Sequence, residues 1–202
     1  MAEALPEKAG PPAPGPSQPS DEQALAAYLR GDKAMVAELV RRYERPLFGL
    51  LIRLTGRPAD AADLFQETFL RVMQHADSFA GESRFKTWLY SVAINVSRMH
   101  RRGALRHPAE PLDAAPPPAV RDPGPDGGAE RSEIGARVAE AVERLPEAQR
   151  EVLVMKVYDD MNYREIAAAL GRPVSTVKSQ MRLALERLRG VLHGLGRDYG
   201  AA

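Results

Sequence analysis

The 202-residue chain contains no cysteine. That absence excludes a disulfide framework, a thiolate metal site and a cysteine nucleophile, and it is easiest to reconcile with the cytosol. Long apolar runs are missing as well. The stretch Leu50 to Ile52 reaches six residues even when Leu47, Phe48 and Gly49 are admitted, far below the roughly 20 that a membrane span needs. The N-terminus opens acidic and proline-rich, with no basic stretch leading into an apolar one, so it does not read as a secretory signal. Charge of one sign is scarce too: 28 Lys and Arg stand against 27 Asp and Glu, and a net charge of +1 names no partner. The four histidines, His75, His100, His107 and His193, are scattered, and there is no HExxH, GxSxG or phosphate-cradling glycine loop. The expectation is a chain with no catalytic centre, no metal, no cofactor and no small-molecule substrate.

Proline is present but unevenly placed, and its placement divides the chain. Of 17 prolines, six lie in residues 1–20 and seven in 108–125. The first cluster cannot bury enough apolar surface to offset ordering and predicts a disordered tail over 1–20. The second sits in a segment, 103–131, that contains AEPLDAAPPPAVRDPGPDGGAE and reads as a linker made semi-extended by its prolines. Its acidic residues Glu110, Asp113, Asp122, Asp126 and Glu130 outnumber Arg106 and Arg121, the wrong sign for gripping nucleic acid. Residues 21–102 carry apolar positions at helical spacing and predict helices over about 22–30, 34–54, 60–76 and 84–102. Residues 132–193 break at Leu145-Pro146, at Asp159-Asp160-Met161-Asn162 and at Gly171-Arg172-Pro173, which predicts four more helices, with a short tail over 194–202. The fold class is therefore all-α, as two small helical domains. In this reading Asp159 and Asp160 punctuate a turn.

The second domain contains a helix-turn-helix signature. Asn162 with Glu165 three residues later forms a cap arrangement, Gly171 ends that helix and Pro173 starts the next. At 100° per residue Val174, Val177, Met181, Ala184 and Leu188 share one face, and Ser175, Lys178, Ser179 and Arg182 the opposite one. Small hydroxyls let such a helix enter a major groove, while the Lys and Arg reach guanine edges or phosphates. From Arg172 to Arg197 six basic residues face the single Glu186, so a basic patch is hidden in a near-neutral chain.

In the first domain, the helix over 60–76 has a buried stripe of Phe65, Phe69, Val72, Met73 and Ala76. Its opposite face carries Asp63, Glu67, Leu70 and Gln74, with Gln66 at the margin. A leucine among carboxylates and amides reads as a protein-docking face, with Leu70 at its desolvated centre. The following helix interleaves aromatic and basic residues, a surface suited to opened nucleic acid. Phe85, Trp88 and Leu89 read as core, but Asn95, Arg98, Arg101 and Arg102 do not.

Both halves together resemble a bacterial sigma factor of the extracytoplasmic-function (ECF) group of the sigma-70 superfamily. DAADLFQETFLRVMQ at 60–74 is similar to the group's region 2.2, FAGESRFKTWLYSVAINVSRMHRR at 79–102 to regions 2.3 and 2.4, and LPEAQREVLVMKVYDDMNYREIAAALGRPVSTVKSQMRLALERLR at 145–189 to region 4. The resemblance implies that Asp63, Gln66, Glu67 and Leu70 dock on the β′ clamp helices of core RNA polymerase, whose β flap is a second contact. It implies that Gly81, Glu82, Ser83 and Arg84 form the loop that captures a flipped base of the minus-ten element. Asn95, Arg98, Arg101 and Arg102 would then face the upstream duplex of that element. Ser175, Thr176, Lys178, Ser179 and Arg182 correspond to the minus-35 reading helix. Ser91 and Val92 stand where housekeeping sigma factors carry a tryptophan pair, which implies weaker melting and strict promoter choice. Gln180, Leu183 and Leu185 replace arginines of many relatives, and Arg172 replaces a capping Ser.

A linker of 29 residues reaches at most ~95 Å at ~3.3 Å per residue, against ~70 Å for two turns of DNA. Both domains can touch one promoter together. The resemblance also implies an anti-sigma factor that clamps the two domains, a cytoplasmic location, and nucleoid association when active. The rival reading is a helix-turn-helix transcription regulator that acts without polymerase docking, as a dimer on palindromic DNA.

Overall fold

A computed structural model describes residues 19–106 and 128–199, with side chains described over 19–103 and 135–190. The expected tail, apart from its last two residues, the middle of the expected linker and the last three residues lie outside that range. Among the described residues there are eight α-helices and no strand. They are α1 (Asp21–Leu29), α2 (Ala34–Thr55), α3 (Pro58–Gln74), α4 (Phe85–Arg106), α5 (Gly128–Glu143), α6 (Glu147–Val157), α7 (Tyr163–Leu170) and α8 (Val174–Tyr199). The all-α expectation holds. The helices run longer than the spacing predicted at three places: α4 continues four residues into the segment read as linker, α5 begins at Gly128 within it, and α8 extends to Tyr199.

The local rules explain the helix ends. Ser20 caps α1 in a reciprocal arrangement with Gln23, its hydroxyl accepting from the Gln23 amide at 3.2 Å. Gly56 ends α2 at φ 73°, a left-handed conformation that disfavours a side chain, and it lies close enough to the Glu143 carboxylate that a Cβ would sit 3.2 Å from it. Pro58 begins α3, where its missing N–H removes nothing. Pro46 lies inside α2, which continues through it at the cost of one backbone hydrogen bond.

Helices α1 to α4 enclose the first core, in which Leu39, Leu47, Leu50, Leu51, Phe85, Leu89 and Ile94 are fully buried. Tyr43, Phe79, Phe85 and Trp88 pack edge-on or tilted around it, with ring centroids 5.3 to 6.2 Å apart. Asp21, Arg42 and Glu38 tie α1 to α2: Arg42 donates to Asp21 at 2.7 Å and to Glu38 at 2.8 Å. In the second domain Val152, Val154, Met155, Met161, Ile166, Val177 and Ala184 are buried among α6, α7 and α8. Arg187 of α8 donates to Gln149 of α6.

The two domains pack against each other through α4 and α2, with their buried apolar residues forming one continuous cluster, and polar pairs are set along that seam. Tyr90 donates its hydroxyl to Asp159 Oδ1 at 2.7 Å, and Lys86 Nζ donates to the Asp159 carbonyl at 2.7 Å. Arg98 forms a bidentate pair with Glu151, both contacts 2.8 Å, and Arg101 reaches Glu147 at 2.8 Å. Glu151 is 1% exposed and also lies 3.4 Å from Arg172, so one carboxylate is held between two guanidinium groups. The Arg53 guanidinium lies 3.8 Å over the Tyr158 ring. Asp159, expected only to punctuate a turn, is a buried joint between the domains. Its neighbour Asp160 takes φ 55° and turns the chain into the α7 cap.

Burial pushes the Asp159 carboxyl up to about 6, against the lowering influence of Tyr90, Lys86 and Arg53. A folded value above the ordinary 3.8 means that this group's contribution is complete below pH 3.8 and is lost as pH rises through 6, a difference of about 3 kcal/mol. Between pH 7 and pH 5 the wild-type chain should gain about 1 kcal/mol from this group relative to Asp159→Asn, which cannot ionise. Urea unfolding at the two pH values measures it, and parallel pH profiles for the two proteins would show that Asp159 does not titrate in this way.

Glu151 yields a second expectation. Glu151→Ala leaves Arg172 without its buried counter-charge and Arg98 with only Glu147 at 3.9 Å, and should cost about 3 to 5 kcal/mol. Arg98→Ala added to it should cost less than the sum of the two single changes. An additive cycle in denaturant unfolding would mean that the pair is not coupled.

Candidate functional site

Three surfaces carry the residues that the sequence singled out. On α3 the apolar stripe faces inward, with Ala61, Leu64, Phe69 and Val72 buried and Phe65 and Met73 half-buried. The stripe is therefore wider than the expected one, taking in Ala61, Leu64 and the buried Thr68, whose hydroxyl donates to the Leu64 carbonyl at 2.6 Å. Asp63, Gln66, Leu70 and Gln74 are exposed and Glu67 is half-buried. Leu70 is 49% exposed, a large aliphatic left uncovered by the rest of the described chain. Glu67 accepts from Arg71 Nε at 2.7 Å. Arg71 also contacts Met99 Sδ of α4 at 3.2 Å, and Met99 is itself 52% exposed. Sequence reasoning missed Met99; its position between two polar α4 residues was the available signal.

The second surface is α4 with the loop before it. Glu22 of α1 accepts from the Phe85 amide at 2.9 Å, so a carboxylate caps the positive N-terminal end of α4 across the domain. Partial burial works to raise the Glu22 carboxyl, but the backbone hydrogen bonds at Phe85 and at its own amide, with Ser20 and Arg84, hold it below the ordinary range. This capping was not read from the sequence, because the two residues are 63 positions apart. The loop that it anchors is open: Gly81, at φ 72°, Glu82 and Arg84 are exposed and Ser83 is half-buried. Arg84 leans toward Glu165 of α7 at 4.0 Å.

Along α4 the side chains sort into three stripes. Phe85, Leu89, Ala93 and Val96 enter the first core, while Lys86, Tyr90, Ser97, Arg98 and Arg101 lie along the seam with α6 and α7. Asn95, Met99 and Arg102 face solvent. Trp88 is half-buried against Phe79 and Phe85, in keeping with its reading as core. Ser91 donates its hydroxyl to the Trp88 carbonyl at 2.6 Å. The four α4 residues grouped by sequence therefore separate: Asn95 and Arg102 are free of the seam, and Arg98 and Arg101 are paired within it.

The third surface is the helix-turn-helix. Asn162 Oδ1 accepts from the amides of Arg164 and Glu165 at 2.9 and 3.0 Å, and Glu165 accepts from the Asn162 amide at 2.8 Å, completing the capping box. Gly171 at φ 61° closes α7. Val177, Met181 and Ala184 are buried against α6 and α7, with Val174 and Leu188 half-buried. Ser175, Lys178, Ser179 and Arg182 are exposed, and Thr176 is half-buried beside them. Arg182 pairs with Glu186 at 2.5 Å on the open surface. Arg172, at the position where the resemblance leads one to expect a capping Ser, turns back to the Glu151 carboxylate. Among the described residues no group of three or more His, Asp or Glu is arranged to hold a metal ion, and no helix is long and apolar enough to cross a membrane.

Comparison with known proteins agrees with this geometry. Residues 39–107 match the family Sigma-70 region 2, and residues 136–188 match Sigma-70, region 4. The chain is 31% identical over 190 residues to the RNA polymerase sigma-H factor of Pseudomonas aeruginosa, covering 90% of this chain and 98% of that protein. It is 34% identical over 182 residues to the ECF RNA polymerase sigma factor SigE of Mycolicibacterium smegmatis, covering 87% of this chain and 70% of that one. Two solved structures share its fold at 24% identity: CnrH, in complex with the cytosolic domain of CnrY, at a TM-score of 0.66 over 86% of this chain and 97% of that one, and RpoE of Bartonella quintana, in complex with the anti-sigma factor NepR, at 0.60 over 78% and 96%. With both regions matched in order, the chain belongs to the extracytoplasmic-function group of the sigma-70 family and is an alternative sigma factor that directs transcription from promoters.

Proposed function

We propose a division of the sigma-factor task among the three surfaces. Asp63, Gln66, Glu67 and Leu70 on α3 dock on the clamp helices of the β′ subunit, with the second domain meeting the β flap. The observation that carries this reading is the uncovered Leu70 within a rim of carboxylates and amides. A desolvated apolar centre supplies affinity, and the surrounding charge selects a basic partner. The loop of Gly81, Glu82, Ser83 and Arg84 receives an unstacked minus-ten base, an open and glycine-hinged site for the one step shared with base-flipping enzymes. Asn95, Arg98, Arg101 and Arg102 follow the duplex just upstream. Ser175, Thr176, Lys178, Ser179 and Arg182 read the minus-35 element in the major groove.

In this reading the first domain spans 21–102 and the second 132–193, and the protein works in the cytoplasm without performing catalysis. Of the solved structures that share its fold, RpoE was captured with the anti-sigma factor NepR and CnrH with the cytosolic domain of CnrY. By the same logic an anti-sigma factor restrains this chain.

Run-off transcription with core RNA polymerase on genomic fragments tests the docking face. Asp63→Arg with Glu67→Arg should lower core-dependent initiation at least tenfold, because both positions would then carry positive charge and repel the basic partner. Full activity in that variant would move docking elsewhere. DNA binding to palindromes by the protein alone, with no transcript, would favour the helix-turn-helix regulator.

The reading helix has its own signature. Lys178→Ala should weaken promoter binding and reduce the slope of log affinity against log salt by about one. Arg182→Ala should in addition relax base preference at one minus-35 position, measured by competition among single-base variants of the selected promoter. Unchanged salt dependence and preference in both variants would remove α8 from the interface.

A further inference from the structure

An open groove of about 650 Å³ lies where α1, α2 and α3 meet. Its walls are Tyr28, Val36, Val40, Phe65 and Met73, all half-buried, together with the exposed Ala37. Phe65 is held in place by Phe48 and Phe69, whose ring centroids lie 6.5 and 5.1 Å from its own. None of Asp63, Gln66, Glu67 and Leu70 lines the groove, so the polymerase-docking face does not account for it.

The rim of the groove is rich in donors. Lys33, the Tyr28 hydroxyl and Arg41 Nη1 can all donate, the Nε and Nη2 of Arg41 being taken by Glu38 at 2.8 to 3.1 Å, and Glu44 is the single carboxylate of the lining. That imbalance fits one kind of chain. Proline has no N–H, and a polyproline II segment makes no internal hydrogen bond, so its carbonyls stand outward as acceptors without matching donors. Proline rings also pack on aromatic walls, the way in which proline-rich peptides are held in aromatic-lined grooves. We propose that this groove docks the proline-rich N-terminal segment of the same chain, Pro11-Pro12-Ala13-Pro14-Gly15-Pro16, in polyproline II form.

The position of the chain supports this occupant. Pro19, the first described residue, lines a second, shallower groove with Ala34, Met35 and Glu38 of α2, and the two grooves share Ala37 and Arg41. Pro16 stands three residues before Pro19, a reach of ~10 Å at ~3.3 Å per residue. The proline run therefore begins beside the larger groove. From Lys33 to Glu44 that groove follows the α2 backbone for ~16 Å at ~1.5 Å per residue, and six polyproline II residues cover ~19 Å at ~3.1 Å each. Two further terms favour docking over a free tail. Attachment through Pro19 supplies a high effective concentration, and proline restricts the undocked segment, so less conformational freedom is lost on binding. A segment too poor in apolar surface to fold alone can still dock on a surface already built.

Because the chain has no cysteine, a nitroxide can be attached uniquely at Ala9→Cys, and its broadening of methyl signals is read by NMR on the full chain. Val36, Val40 and Met73 should lose intensity at least twofold relative to the reduced label, while Val177 and Met181 in the second domain keep theirs. The tether alone brings the label near α2, so the deciding comparison leaves its length unchanged. Pro11→Ser, Pro12→Ser, Pro14→Ser and Pro16→Ser together, all outside the helical domains, should restore at least half of the lost intensity. Ala37→Glu, which puts a charge into the groove at an exposed position, should do the same, with circular dichroism checking that the helices remain. Equal broadening in the wild type and the proline variant would overturn the proposal, as would broadening that misses the groove or spreads evenly over the domain. A mixture of nitroxide-bearing chain with isotope-labelled chain that lacks the nitroxide should show no broadening. Groove broadening in that mixture would give the groove to the tail of a second copy and would equally overturn docking within one chain.

Discussion

Glu151 is the charge around which the two domains are arranged. It is almost wholly removed from water, and a carboxylate in that position is tolerable only because Arg98 approaches from one domain and Arg172 from the other. The requirement acts in both directions. Arg172 gives up the helix-capping role that a serine would have at that position, and Arg98 gives up solvent. A departure from the family pattern in the turn and a buried side chain on a distant helix therefore share one cause.

With that seam in place, α4 serves three environments at once. A helix has enough circumference for one apolar stripe to enter a core, one polar stripe to meet a neighbour and a third to remain wet. Phe85, Leu89 and Val96 occupy the first, Tyr90, Arg98 and Arg101 the second, and Asn95, Met99 and Arg102 the third. The open loop at its N-terminus is held by Glu22, so the geometry of the surface proposed for minus-ten contact depends on α1, a helix that contributes none of its named residues.

Local order was legible in the sequence. Helical spacing, the Asn162 and Glu165 cap, Gly171 and Pro173 placed the helix-turn-helix, and the same spacing separated the buried and exposed faces of α3 and α8. What escaped is what depends on residues far apart in the chain. Asp159 reads as turn punctuation because its neighbours are polar and a helix cap follows; only the approach of Tyr90, 69 positions earlier, makes it a joint. Glu151 carries no local mark, since a glutamate among Val152, Leu153 and Val154 on a helix is ordinary until its face is known. Arg98 and Arg101 were separable from Asn95 and Arg102 by angle alone, yet nothing in a single helix states which polar stripe another domain will cover. The additional turn of α4 past Gly103 was hidden because glycine followed by a proline-rich stretch reads as a stop.

The seam between the domains combines apolar contact with ion pairs, and the two parts respond differently to a partner. The apolar part of the seam holds the domains together whatever ions are present, because burial of apolar surface is indifferent to charge. Ion pairs behave differently: their solvation cost nearly cancels their attraction, so each pair is favoured by a small margin that another anion can reverse. Selectivity then follows from linkage. Whatever binds the freed guanidinium better than the paired one shifts the equilibrium by the ratio of those affinities and no further. A partner that grips only the exposed face of α8 displaces nothing at the seam, because Ser175, Lys178, Ser179 and Arg182 are already exposed. A partner that contacts Arg98 or Arg101 must displace a carboxylate first, whereas Arg102 of the same helix is exposed already. The carboxylates of α6 therefore compete with any other anion for Arg98 and Arg101, a competition that the exposed Arg102 one residue further along α4 does not face.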